Sequence, residues 1–204
     1  MPELETNGAT ELNTTIADAL AGVGWIVIPN FLSADELSHL QQLATTRKRA
    51  FAAAGVGREA AHQVRQDIRG DAVLWVENDD AEMREANQRM ADLQQSLNRE
   101  LYLGLNELEW HFARYPVGSF YQRHLDQHRN QDTRVVTVVQ YLNDNWTELD
   151  GGQLRIYLDD EQHIDVTPHG GTLVVFLSNR FEHEVLPAQR ERLSLTGWYR
   201  RSTN

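Results

Sequence analysis

The chain of 204 residues contains no cysteine. Disulfides and thiolate metal sites are thereby excluded, and histidine, aspartate and glutamate remain as the candidate metal ligands. Long apolar runs are missing too: none approaches the roughly 20 residues that cross a bilayer as a helix. The opening segment, Met1 to Asn13, has neither a basic start nor an apolar block. No secretory signal is read there, and the cytoplasm is the default expectation. Positive charge is scarce, with 19 Lys and Arg against 30 Asp and Glu, a formal net charge of -11. A surface of that sign repels phosphate backbones and disfavours nucleic acid as a partner.

What is present is an ordinary globular composition, 41% hydrophobic and 24% charged. The length suffices for one domain with a substantial core. The basic residues are uneven: Arg47, Lys48, Arg49, Arg58, Arg65 and Arg69 share one stretch. That stretch fits either favourable charge at a helix C-terminus beside a solvated loop, or a docking surface for an acidic polypeptide.

Leu12, Ile16, Ala19 and Leu20 recur at helical spacing until Gly22 and Gly24 stop them. Trp25 to Ile28 reads as a short strand. Ser33 with Glu36 forms a capping box, flanked by Leu32 and Leu37 as a hydrophobic staple, and predicts a helix from about Ala34 to Ala53. Gly55 to Gly70 lacks clear periodicity and reads as a long loop or irregular hairpin, a length that in a compact domain is uncommon and often functional. Val73 to Val76 is a strand, and Asp79 with Glu82 opens a helix with Met83, Ala86, Met90, Leu93, Leu97 and Leu101 on one side. Both helices read as props for a sheet.

From Leu108 the texture changes. Glu109 to Tyr115, Gly118 to Asp126, Arg134 to Leu142, Gly152 to Leu158, Gln162 to Val166, Gly171 to Leu177, His183 to Val185 and Arg192 to Arg200 all read as strands. Short strands in series without intervening helices indicate a double-sheet jelly roll or closed barrel. The expected fold is α+β, mainly β: a single domain over 1–204, with 1–107 supplying helices, short strands and the loop, and 108–200 the barrel.

The chemistry gathers in that second half. Residues two apart on a strand face one way, so His124 and Asp126 are expected to converge. A lone His-x-Asp pair also fits two solvated residues, but His183 offers a third ligand from a distant strand. Two histidines and a carboxylate hold one face of an octahedral iron(II) and leave positions open for oxygen and a co-substrate. Arg192 adds a planar cationic fork suited to a carboxylate. Along its strand Arg192, Ser194, Thr196 and Trp198 alternate with Leu193, Leu195 and Gly197, a polar inner face against an apolar outer one. An interior arginine needs a partner. It is either a dicarboxylate co-substrate, helped by a hydroxyl such as that of Tyr141, or an internal salt bridge to Glu184 or Glu191. His39 and His62 read as surface residues, His111, His163 and His169 have no partners at ligand spacing, and His128 is the rival ligand.

The pattern His124-x-Asp126, His183, Arg192-x-Ser194 resembles that of the iron(II)- and 2-oxoglutarate-dependent dioxygenases. Asp67 to Asp71, Tyr115-Pro116, Tyr121 to Asp126, Tyr141 to Asn143, Gly151 to Ile156 and Thr196 to Tyr199 narrow the likeness to the prolyl hydroxylases of hypoxia-inducible factor and their short bacterial relatives. The resemblance implies a double-stranded β-helix (jelly roll) braced by N-terminal helices. It implies iron(II) on His124, Asp126 and His183, and 2-oxoglutarate held by Arg192, Tyr141 and Ser194 with Tyr115 near the chelating carboxylate. It also implies oxygen as the second co-substrate, with ascorbate as a candidate reductant. Tyr121 and Trp198 would shape the slot for a target proline, and Arg134, Arg69 and Asp71 would contact the polypeptide. Elongation factor Tu is the leading substrate by resemblance, with hydroxylation at the 4-position. A hydroxylase of a free amino acid or small metabolite, or a non-catalytic cupin-like binding protein, are the alternatives.

Overall fold

The computed structural model describes residues 3–54, 68–77, 79–127 and 133–202. Helix α1 (Glu3–Ala21) turns Ile16, Ala17 and Leu20 inward and leads into strand β1 (Trp25–Ile28). Helix α2 (Ala34–Thr46) opens with the expected reciprocal cap: Glu36 N–H donates to Ser33 Oγ, and Ser33 N–H to the Glu36 carboxylate.

That helix is shorter than its alanine-rich sequence predicts. It ends at Thr46, a 3-10 turn covers Lys48–Ala50, and Ala52–Ala53 form strand β2 against strand β3 (Ala72–Trp75). Pairing with the edge of a sheet outweighs the helix propensity of alanine. Arg47 anchors the break, pairing with Asp80 and, at 2.5 Å, with Glu82. Part of the basic stretch is therefore neutralised by ion pairs, while Arg58, Arg65 and most of the Gly55 to Gly70 loop lie outside the described residues.

Helix α3 (Arg84–Leu101) begins later than the expected Asp79, after a 3-10 turn over Ala81–Met83 that the Asp80 side chain caps. The remaining strands are β4 (Leu105–Tyr115), β5 (Tyr121–His124), β6 (Arg134–Tyr141), β7 (Leu154–Tyr157), β8 (His163–Val166), β9 (Leu173–Leu177), β10 (His183–Val185) and β11 (Arg192–Arg201). All eight strands expected after Leu108 are present; β10 has the expected bounds, β4 and β11 run longer, and the others are trimmed. The largest change is β5, expected from Gly118: that residue sits at φ +77° in a turn, and pairing starts only at Tyr121.

Two antiparallel sheets form the jelly roll. One runs β1-β9-β6-β11-β4-β3-β2, the other β5-β10-β7-β8. Alternation along the strands builds two cores. Trp110, Phe112, Val136, Val138, Leu195 and Tyr199 face the helices, meeting Met90, Leu93 and Leu97 of α3. Ala113, Tyr115, Val139, Tyr141 and Phe176 face the other way, between the sheets, with Leu154 and Ile156 opposite. β11 and β4 approach closely at Gly197, where a Cβ would stand 2.3 Å from Trp110 Cβ. Among the described residues no helix is long and apolar enough to cross a membrane.

Candidate functional site

The pairing of β5 with β10 sets His124 directly opposite His183. Asp126 joins them from the bend just beyond β5, not from the strand itself. Its convergence with His124 thus comes from a turn of the chain and not from the strand periodicity expected for a pair two apart. Asp126 Oδ1 is 3.5 Å from His124 Nε2, and Oδ2 is 3.5 Å from His183 Nε2. One ligand atom from each residue falls within 4.8 Å of the others.

The surroundings orient these groups. His124 Nδ1 lies 2.7 Å from the Gln122 carbonyl, and His183 Nδ1 lies 3.2 Å from that of Phe181. A carbonyl accepts from Nδ1–H, which leaves the Nε2 lone pair on the inward side, as metal-ligating histidines require. Thr137 Oγ1 donates to Asp126 Oδ2 at 2.8 Å and is itself 2.9 Å from Ser178 Oγ, both hydroxyls fully buried. Burial works against the charge on Asp126, yet the two imidazoles and Arg134 outweigh it and hold the carboxyl well below its usual range. Burial, partly countered by Asp126, lowers His183 to about 4, so the ring is neutral near pH 7. A carboxylate and two imidazoles whose Nε2 atoms face it fit a hard-to-borderline divalent metal such as iron(II).

Arg192 opens β11 opposite Tyr115 and is 1% exposed. Its Nε donates to the Gly152 carbonyl at 2.9 Å and one Nη to Ser194 Oγ at 3.4 Å. The Tyr115 and Tyr141 rings lie 5.0 and 5.1 Å from its guanidinium carbon. Neither alternative salt bridge forms: Glu191 pairs with Arg114, and Glu184 accepts from the Tyr157 hydroxyl. Among the described residues Arg192 has no carboxylate partner, and the buried Tyr141 hydroxyl makes no hydrogen bond of ordinary geometry. Burial raises Tyr141 to about 12, moderated by Arg192. A buried guanidinium beside an unsatisfied phenol is costly in isolation and suits a ligand carboxylate. Arg192 lines the same pocket as His124, Asp126 and His183.

Of the remaining candidates, Tyr121, Arg69 and Trp198 line that pocket, with Asp71 and Arg134 in contact with them. Tyr121 stacks on His124 with ring centroids 3.7 Å apart, and Arg69 lies over Tyr121 at 4.4 Å. Arg69 forms a two-pronged pair with Asp71 at 2.7 and 2.6 Å. Arg134 lies 3.5 Å over the Trp198 ring and donates to Glu109 at 2.6 Å. Both arginines expected at the polypeptide thus have acidic partners within the chain. His39, His163 and His169 are exposed, while His62 and His128 lie outside the described residues. Three site residues escaped sequence reasoning: Thr137, Ser178 and His111. His111 is 3% exposed and lines the pocket. The period-two pattern of β4, which puts positions 111, 113 and 115 on one face, is the signal that could have found it.

The model of the 2OG-Fe(II) oxygenase superfamily matches residues 110–200. A prolyl-4-hydroxylase from Pseudomonas putida is similar at 42% identity and TM-score 0.86, over 94% of this chain and 100% of that one. A Trichoplax adhaerens prolyl hydroxylase, solved with a peptide fragment of the hypoxia-inducible factor oxygen degradation domain, shows 28% identity and TM-score 0.87, over 98% and 94% of the two chains. The hypoxia-inducible factor prolyl hydroxylase of Caenorhabditis elegans is 29% identical over 200 residues, 86% of this chain and 26% of that protein. The chain spans between 26% and 42% of the length of the first curated relatives it matches. A family whose reagents are iron(II), 2-oxoglutarate and oxygen accounts for both the triad and an arginine with no carboxylate partner among the described residues. The chain belongs to the 2OG-Fe(II) oxygenase superfamily, among its prolyl hydroxylases.

Proposed function

We propose that this protein hydroxylates a prolyl residue of a polypeptide in an iron(II)- and 2-oxoglutarate-dependent reaction. The observation that carries the reading is Arg192: a buried cation with no carboxylate partner among the described residues, beside a Tyr141 hydroxyl that makes no hydrogen bond of ordinary geometry there, in the pocket that holds the triad. Such an arrangement is costly without an acidic ligand and is relieved by one.

His124, Asp126 and His183 would hold the iron through Nε2, one carboxylate oxygen and Nε2. With 2-oxoglutarate and oxygen, bound iron supplies the oxidising power that inserts one oxygen atom into a C–H bond, 2-oxoglutarate leaving as succinate and carbon dioxide. The protein contributes placement and exclusion of water. Arg192, Tyr141 and Ser194 would fix the distal carboxylate, and Tyr115 would hydrogen-bond near the chelating one. Tyr121 and Trp198 would wall the proline slot, with Arg134, Arg69 and Asp71 at the polypeptide. Residues 1–204 read as one catalytic unit, since α3 and the large sheet share a core. Elongation factor Tu is the substrate suggested by resemblance to the short bacterial form, with the 4-position as the site of oxidation.

Incubation with iron(II), 2-oxoglutarate and elongation factor Tu, read by mass spectrometry, should show a proline gaining one oxygen atom while succinate accumulates. Asp126→Ala should abolish both products, and Arg192→Ala should raise the KM for 2-oxoglutarate at least about tenfold, as loss of a charge-assisted contact predicts. Succinate formation with elongation factor Tu left unoxidised would reject that substrate, and oxidation of a free amino acid in its place would move the reading to a small-molecule hydroxylase.

A further inference from the structure

Beside the triad, two residues that line its pocket each carry a buried polar atom with no hydrogen-bond partner among the described residues: His111 at Nδ1 and Trp198 at Nε1. Strand register puts His111 between Trp75 on β3 and Thr196 on β11, and Thr196 next to Val139 on β6. One row therefore crosses four neighbouring strands, Trp75, His111, Thr196, Val139, and its last three members line the metal pocket. Its first member is an indole left 49% exposed. The Trp75 and His111 rings are 4.7 Å apart and the His111 and Trp198 rings 5.5 Å apart, so the aromatic surface runs without a gap from solvent to the pocket wall. An unmet imidazole nitrogen and an exposed indole are both unfavourable, and a single chain lying along the row relieves both.

We propose that Trp75 and His111 form a subsite for a residue flanking the target proline, Trp75 giving a flat shelf for its aliphatic part and His111 a hydrogen bond to an uncharged polar end. The inference rests on the prolyl hydroxylase reading and adds a sequence preference to it. Burial lowers His111 to about 4, so at neutral pH the ring offers one donor and one acceptor and no charge. A charged side chain placed against it would lose hydration without gaining a counter-ion. The nearby arginines do not change this, because Arg134 and Arg69 are paired with Glu109 and Asp71. Threonine, asparagine and glutamine have the matching chemistry.

The test uses pools of synthetic peptides with one central proline and one flanking position varied at a time. The iron-loaded enzyme acts on them with 2-oxoglutarate, and oxidised proline is counted by mass spectrometry. At one flanking position threonine, asparagine and glutamine should exceed leucine, lysine and glutamate by about tenfold, the scale of discrimination by a buried hydrogen bond. His111→Leu should re-rank that position in favour of leucine, and Trp75→Ala should flatten it through KM. A folding defect lowers every peptide in proportion and does not re-rank them. Oxidation of proline with one ranking in all three proteins, or a charged residue preferred at that position, overturns the subsite alone. Succinate formed by the wild type with no proline oxidised in any pool overturns the hydroxylase reading and the subsite together.

Discussion

Thr137 donates to one oxygen of Asp126 and is backed by Ser178, so the carboxylate is held before any metal arrives. Thr137→Val keeps the side-chain shape and removes that bond. Metal affinity, measured by titration with manganese(II), should fall about 10- to 100-fold, and Thr137→Ser should restore most of it. The buried histidines make a second prediction. In the metal-free fold His111 and His183 are lowered from 6.5 to about 4. As pH falls through 6.5 the unfolded chain takes up these protons first, so stability is full above that value and drains away towards pH 4. Each ring can remove up to about 3 kcal/mol. Urea midpoints of the metal-free protein should decline across this window, and His111→Phe should make the decline shallower. At this scale the triad and Arg192 were legible because their residue types are diagnostic in combination. His111 and Thr137 were not: a histidine without a partner at ligand spacing and a threonine in a strand are common, and only the folded register shows what they face.

Elements were legible where local signals agreed with their surroundings. The Ser33–Glu36 box marked the start of α2, and the eight late strands appeared in order. The misreadings share a cause. Ala52 and Ala53 prefer helix by themselves but sit opposite Val73 and Ala72 in a sheet. Asp126 was assigned to a strand on spacing alone, whereas the chain bends first. In both places partners distant in sequence decide the backbone, and no window of neighbouring residues contains them. Gly197 gives a prediction at this scale. A methyl there would meet Trp110 Cβ at 2.3 Å and the Glu109 carbonyl at 2.7 Å, both fixed by β4. Gly197→Ala should destabilise the protein by about 1–3 kcal/mol by overpacking, measured as a lower denaturation midpoint.

For the molecule as a whole, the fold class could be read from the change of texture at Leu108, while the order of strands could not, since β9 pairing with both β1 and β6 depends on long-range packing. The ligand set draws on both sheets: His124 and His183 belong to the smaller one, and Arg192 to the larger. Binding there ties the sheets together and should raise global stability. With manganese(II) and 2-oxoglutarate at about 100 times their dissociation constants, the gain is about 2.7 kcal/mol for a single linked site. Thermal melts should show one transition moving upward with ligand in the wild type and staying put in Asp126→Ala. Two separate transitions would mean that the helical half and the jelly roll unfold independently.

β11 lies between β4 and β6 and is bonded to both along most of its length. From it Arg192, Ser194, Thr196 and Trp198 project inward at every second position. That strand works as a ruler, with the proposed acid anchor, Arg192, at one graduation and the proposed proline wall, Trp198, three graduations on. Removing a single amino acid between those marks would turn the graduations beyond the cut towards the helices, disabling catalysis with every key side chain still present in the chain.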